Sequence, residues 1–427
     1  MSPASSREAL EAVVRAQAGR VRASLIAAFR DFDQAEDAFQ DAVARALERW
    51  PEEGVPRDPA AWLLVTARNR SLDRFRHERM RREREEALRF EELRRREEQV
   101  EATLPAHEGD TIPDERLRLV FTCCHPALDR EAQVALTLHT LGGLPNEAIA
   151  RAFLVSDAAM KKRLVRARRK IREAAIPYRV PPRAEWSERL AAVLAVVYLV
   201  FNQGYTASAA DPEERAALCE DALRLARALG DVASEEPEVA GLHALLALHH
   251  ARRAARHDDA GAFVPLDAQD ARRYDEALVA EGRAALERVH ALGGGAAYAL
   301  QAEISATHVE AGLAGWPPER RWREIVRLYD ALAERLPSPI VEVNRAVAVG
   351  RLEGPEAGLA LLDAVAARRA ERDRLERYLP YQAARADLLA RAGRTGEARR
   401  AFDRAIALSA EGPERRYLEK LRAGLTS

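Results

Sequence analysis

Apolar residues recur every three or four positions along most of the chain, and one stretch pairs that rhythm with an unbroken basic remainder. Met160, Leu164, Ala167 and Ile171 fall on one face of a helix. Lys161, Lys162, Arg166 and Arg169 are left on the opposite face. Just upstream, Ile149 and Phe153 sit four apart on a shorter helix beginning near Asn146, and Ser156 stands where the second helix needs a cap. Two helices joined by so short a turn have helix-turn-helix spacing, with the second suited to a major groove.

The same rhythm organises the rest. Residues 31–47 form an amphipathic helix whose polar face carries Glu36, Asp37, Gln40 and Asp41. Residues 50–56 (Trp-Pro-Glu-Glu-Gly-Val-Pro) break it, and Asp58 is placed to cap the next helix. That helix runs through Trp62, Asn69, Arg70, Asp73, Arg74, Phe75 and Arg76, where aromatic and amide groups stand among arginines. Such a mixture suits unstacked bases and phosphates, although Trp62 and Phe75 also fit a core. Pro177, Pro181 and Pro182 close the helix-turn-helix segment. Beyond residue 185 comes a long series of Ala/Leu-rich helices divided by Gly and Pro, and no strand pattern competes. The expected class is all-α, in segments 1–84, 85–112, 113–180 and 185–427.

Composition refines this picture. The 427 residues carry a net charge of −1, with 67 basic and 68 acidic side chains, which by itself argues against a nucleic-acid binder. The distribution of those charges points the other way. Eight basic residues and no acid lie between Ala158 and Arg172, whereas Glu97 to Glu115 holds seven acids and neither Lys nor Arg. A basic run is ordinarily a solvated helix face. Here the missing acids, the position of the turn and the small Ala150 favour DNA.

Three cysteines suit a reducing cytoplasm rather than a disulfide framework. The longest apolar run, Leu190 to Phe201, falls short of the roughly 20 residues a membrane span needs. Cys123-Cys124-His125 is poorly spaced for one tetrahedral metal, and no catalytic or phosphate-loop signature is found. The reading is a cytoplasmic protein without enzyme activity, cofactor or metal.

Residues 381–394 with 397–406, and more weakly 344–350 with 358–363, resemble tetratricopeptide (TPR) helix pairs, which stack into solenoids. Ala35-Glu-Asp-Ala-Phe-Gln-Asp, with Trp62-Leu, Ala67-Arg-Asn and Asp73-Arg74, resembles sigma region 2. Glu147-Ala-Ile-Ala with Arg166-Ala-Arg resembles region 4. Together they resemble the extracytoplasmic-function (ECF) sigma factors, in the subgroup with a TPR-like C-terminal extension. Phe121-Thr-Cys-Cys-His-Pro and residues 197–205 are similar to that subgroup, with Gln203 where Glu is expected.

The resemblance implies a region 2 bundle, a helix-turn-helix region 4, an acidic linker between them and a regulatory helical extension. Glu36, Asp37, Gln40 and Asp41 would grip core RNA polymerase. Asn69, Arg70, Asp73, Arg74 and Arg76 would serve the −10 element. Lys161, Lys162 and Arg163 would approach −35 base edges, with Arg166, Arg168 and Arg169 on phosphates. Promoter DNA and core polymerase are the implied partners, with a protein partner on the extension. The alternative is an ordinary helix-turn-helix regulator or adaptor carrying a TPR-like interaction domain; it would need no polymerase-gripping helix.

Overall fold

The computed structural model describes residues 17–69, 113–153, 155–182, 185–206, 212–294, 297–368 and 374–425. Every regular element among them is helical, apart from one isolated bridge between His257 and Phe263. The chain divides into two compact units. The first comprises residues 1–204 and 213–228, and the second residues 205–212 and 229–427.

In the first unit, local chemistry sets the helix boundaries. Helix α1 spans residues 17–29. Asp31 then accepts from the Asp33 and Gln34 amides at 2.9 and 3.0 Å and so caps α2, Phe32–Glu53. Gly54, at φ 83°, takes the left-handed conformation that ends α2. As expected, Asp58 caps the next helix, α3 (residues 59–69), accepting from Ala61 N at 2.9 Å. Phe32, Ala35, Ala38, Phe39, Ala42, Ala46 and Trp50 form the buried stripe of α2, and Trp62 meets the Trp50 ring edge-on at 5.2 Å.

Four further helices follow: α4 (Pro113–Cys123), α5 (Arg130–Thr140), α6 (Asn146–Ala152) and α7 (Asp157–Glu173). The α5 helix is buried from Ala132 to Thr140, so the others pack around it. Helix α8, Trp186–Thr206, joins this core through its first turns. Trp186 stacks on Phe121, and the Arg189 guanidinium, 5 % exposed, donates to the Phe121 carbonyl at 2.7 Å. Helix α9, Pro212–Val232, contributes Leu218, Cys219, Ala222 and Leu225 to the buried set.

The longer helices described in the second unit are α10 (Pro237–Ala251), α11 (Glu276–Ala291), α12 (Ala297–Ala314), α13 (Pro318–Arg335), α14 (Pro339–Leu352), α15 (Pro355–Ala367), α16 (Leu379–Arg391), α17 (Thr395–Leu408) and α18 (Pro413–Ala423). Proline stands in the first turn of α10, α13, α14, α15, α16 and α18, where its missing N–H costs nothing. Each helix packs on its sequence neighbours, as in stacked helix pairs. The two pairs anticipated from spacing are α14–α15 and α16–α17. They share one core through Val343, Ala346, Leu359, Leu362, Leu388, Ala401 and Phe402. A Cβ at Gly358 would stand 2.6 Å from the Ala346 carbonyl oxygen, so only glycine permits that approach. Residues 252–275, an insert of short 3₁₀ turns, connect α10 to α11.

Candidate nucleic-acid interface

The helix-turn-helix is built as its pattern requires. Ser156 Oγ accepts from Ala159 N at 3.2 Å and starts α7. Met160, Leu164, Ala167 and Ile171 are the buried residues of that helix, against Ile149 of α6 and the flank of α5. This leaves Lys161, Lys162, Arg166, Arg169 and Lys170 exposed. Lys162 and Arg166 make no ion pair among the described residues. Lys161 pairs with Asp157 at 2.7 Å and Arg169 with Glu173 at 2.6 Å, each one turn away on the same helix. Such exposed pairs are weak and exchange readily for phosphate. Arg163 is turned aside, onto Glu131 at 2.8 Å and over the Phe153 ring.

One member of this surface escaped the charge-based reading. Val165 is 53 % exposed between Lys162 and Arg169. An apolar side chain on a reading face suits a thymine methyl. Its signal was its omission from the buried 160–164–167–171 stripe.

The N-terminal helices sit against this module within the same unit. Asp33, in the first turn of α2, forms an ion pair with Arg168, its Oδ1 3.3 Å from Nε, and accepts a hydrogen bond from Arg172 Nη1 at 2.8 Å. Two cations of the basic helix are therefore held by another segment of the chain. Deeper in, Arg22 of α1 grips Glu36 with two nitrogens, at 2.9 and 3.3 Å. His139 Nε2 of α5 reaches the same carboxylate at 3.2 Å while its Nδ1 faces the Leu144 carbonyl oxygen at 3.2 Å. Both ring nitrogens therefore face an oxygen. Gly19 completes the seam: a side chain there would collide with the Leu141 carbonyl at the end of α5.

Glu36 therefore departs from the polar face on which its spacing placed it. Asp37 and Gln40 are exposed and Asp41 is half-buried, whereas Glu36 turns inward to Arg22 and His139. Burial would raise its carboxyl, but the His139 hydrogen bond and the Arg22 guanidinium outweigh it and hold the pKa far below the usual 4.5. A depressed folded-state pKa means stabilisation that is complete above about pH 4.5 and lost as pH falls toward the folded value. The Glu36→Gln variant is expected to lose about 3–5 kcal/mol at neutral pH, because it strands Arg22. The gap between wild type and variant should narrow steadily as pH falls below about 4.5 in denaturant titrations. A gap that does not narrow contradicts the assignment.

Asn69 is exposed in α3, while Trp62 is half-buried on Trp50, a packing role that spacing left open. Arg70, Asp73, Arg74, Phe75, Arg76 and the acidic linker 85–112 lie outside the described residues. Cys123 and Cys124 are buried, and burial pushes the Cys123 thiol up to about 12. Among the described residues no group of three or more His, Cys, Asp or Glu could hold a metal, and no helix is long and apolar enough to cross a membrane.

Comparison with known proteins agrees with this layout. Residues 13–81 match sigma-70 region 2 and residues 118–171 match sigma-70 region 4. Residues 189–290 match a family of unknown function, DUF6596. An uncharacterized protein of Rhizobium meliloti (strain 1021) is 43 % identical over 396 residues, covering 92 % of this chain and 90 % of the relative. No solved structure matches. With an exposed basic face on a capped helix-turn-helix, both sigma regions in order and a relative alike over nearly its whole length, the chain belongs to the sigma-70 family, as an ECF-like sigma factor for transcription initiation with a helical C-terminal extension.

Proposed function

We propose that this sigma factor directs core RNA polymerase to promoters by reading the −35 element with α7 and the −10 element with the end of α3, and that the arrangement described above is its closed form. The observation that carries this reading is the Asp33 carboxylate, which occupies Arg168 and Arg172 on the helix that would meet DNA. Region 2 and region 4 would have to separate before both promoter elements are engaged. Asp37, Gln40 and Asp41 are the surface offered to the polymerase. Glu36 joins them only once the seam with Arg22 and His139 opens. Asn69, Arg70, Asp73, Arg74 and Arg76 are assigned to the −10 strand, where a flipped base costs a few kcal/mol of unstacking that the pocket must offset.

On the −35 side, Lys161, Lys162 and, once it leaves Glu131, Arg163 are assigned to base edges and Arg166, Arg168 and Arg169 to phosphates. Lys162→Ala is expected to cost about 1–3 kcal/mol on the preferred −35 sequence and to relax preference at one position. Arg169→Ala should weaken all sequences alike and lower the salt slope by about 1. Anisotropy titrations on a set of −35 duplexes at several salt concentrations distinguish them. Equal losses on every duplex for both variants would remove the division of roles.

The extension is the proposed point of control, since α8 enters the core of region 4 through Trp186 and Arg189. A protein or ligand acting on the extension could thereby bias opening. The test of function is capture of core polymerase by the purified chain, followed by run-off transcription. Specific initiation without another sigma factor supports the reading. Initiation only when a second sigma factor is supplied would make this chain a helix-turn-helix regulator instead.

A further inference from the structure

The stacked-helix unit contains a positive charge that its described residues do not balance. Arg252 follows the last turn of α10 and is only 6 % exposed. Its Nε is out of solvent with no hydrogen-bond partner, and among the described residues it makes no ion pair. The carbonyl end of α10 favours a cation there, but a helix dipole supplies at most about half a charge, falling off within a turn. A buried guanidinium normally has a carboxylate or an equivalent anion.

The groups around it are donors as well. Ser305 and His308 lie three apart on one face of α12, and both Ser305 Oγ and His308 Nδ1 are buried without a partner. Arg321, in the first turn of α13, gives one nitrogen to Asp267 at 2.8 Å and keeps its Nε unpartnered. Arg351 draws on the same Asp267 at 3.1 Å, so two guanidiniums share one carboxylate. Asp387 adds only a 3.7 Å contact to Arg351 and is itself held by Arg391 at 2.8 Å. Asp270, the other acid nearby, is taken by Arg272.

These residues form one cluster. Burial first, then the nearby Arg252 and Arg321 charges, pushes the His308 pKa down to about 3, and the same two arginines act on the buried Tyr274 hydroxyl. His308 stands edge-on to Trp322 at 5.5 Å, and Arg321 lies 5.0 Å over that ring. The imidazole is thus neutral near pH 7 and can donate one hydrogen bond without a counterion. The Arg252 and Arg321 charges thus both act on His308, and Ser305 lies one turn from His308 on α12, with more positive than negative charge around them.

We propose that Arg252, Ser305, His308 and Arg321 form a binding site for a small phosphate-bearing ligand. A phosphate dianion answers the excess charge, and its tetrahedral oxygens accept from donors approaching in several directions, which a planar carboxylate does less well. The site gives the extension a small-molecule input. It goes beyond promoter recognition and stands or falls on direct binding.

The test uses the full-length chain with inorganic phosphate as probe, followed by calorimetry and thermal melting at matched ionic strength. Saturable binding with a raised melting midpoint is expected for phosphate and not for acetate or chloride. Arg252→Met removes an unbalanced buried charge, so without phosphate it should melt no lower than wild type. Its phosphate affinity should fall at least about tenfold. Ser305→Ala, a milder change, should fold normally and weaken phosphate several-fold; it decides the matter if Arg252→Met does not fold. Equal phosphate response in wild type and variants, or a response matched by chloride, overturns the site. Acetate binding as well as phosphate overturns the ligand class.

Discussion

Gly19→Val is expected to open the seam between regions 2 and 4 and to tighten binding of a −35 duplex about tenfold or more. The reason is steric. A Cβ at this position of α1 would occupy the place of the Leu141 carbonyl oxygen, which is backbone and cannot rotate away. Overpacking of this kind costs about 1–3 kcal/mol, and every 1.4 kcal/mol shifts an equilibrium about tenfold. The strain is relieved by separating the two regions rather than by unfolding either, because glycine is not needed there for a special backbone angle. Opening releases Arg168 and Arg172 from Asp33, and both cations return to the surface α7 presents to DNA. Anisotropy with the duplex reads the gain, and small-angle scattering reads the accompanying expansion. Expansion with unchanged DNA affinity would show that closure does not control promoter access. No expansion at all would show that the seam tolerates the added side chain.

Removal of residues 186–427 should unfold region 4, whereas removal of residues 233–427 should leave it folded. Helix α8 buries Val193, Leu194, Val196, Val197, Val200 and Phe201, and fully burying a side chain of this kind contributes roughly 1.5–3 kcal/mol. Its first turns also satisfy the Phe121 carbonyl through Arg189 and cover the Phe121 ring with Trp186. Cutting at 186 exposes those faces of region 4 and leaves a carbonyl without its donor. A domain of ordinary stability holds only about 5–15 kcal/mol in total, so the loss is decisive. Circular dichroism melts of the two truncations make the comparison. A cooperative melt from the shorter chain, at the midpoint of the longer one, would sink the claim that α8 is structurally part of region 4. The longer truncation is then the proper chain for asking whether the extension restrains or assists transcription.

Much of the nucleic-acid interface was legible in the sequence, because it depends on one helix. The 160–164–167–171 stripe, the Ser156 cap and the outward Lys162 and Arg166 follow from helical periodicity and local hydrogen bonding, which act within a few residues. Val165 could have been read from the same periodicity, had apolar residues outside the stripe been considered. Glu36 could not. Its spacing puts it beside Asp37 and Gln40, and nothing within helix α2 distinguishes it from them. What turns it inward is an arginine 14 positions earlier and a histidine 103 positions later.

The same division holds across the protein. Local rules in the sequence determined the all-helical class, the proline and glycine punctuation, the helix-turn-helix and the paired helices of the extension. They operate over one or two turns and need no partner segment. The tertiary structure alone decided that Asp33 holds two arginines of the basic helix, that the first turns of α8 pack on region 4, and that Arg252 is buried with no counter-charge among the described residues. Each of these is a balance between desolvation and Coulomb attraction among groups far apart in sequence. Such a balance is set by which side chains the fold brings together, and no window along the chain contains it.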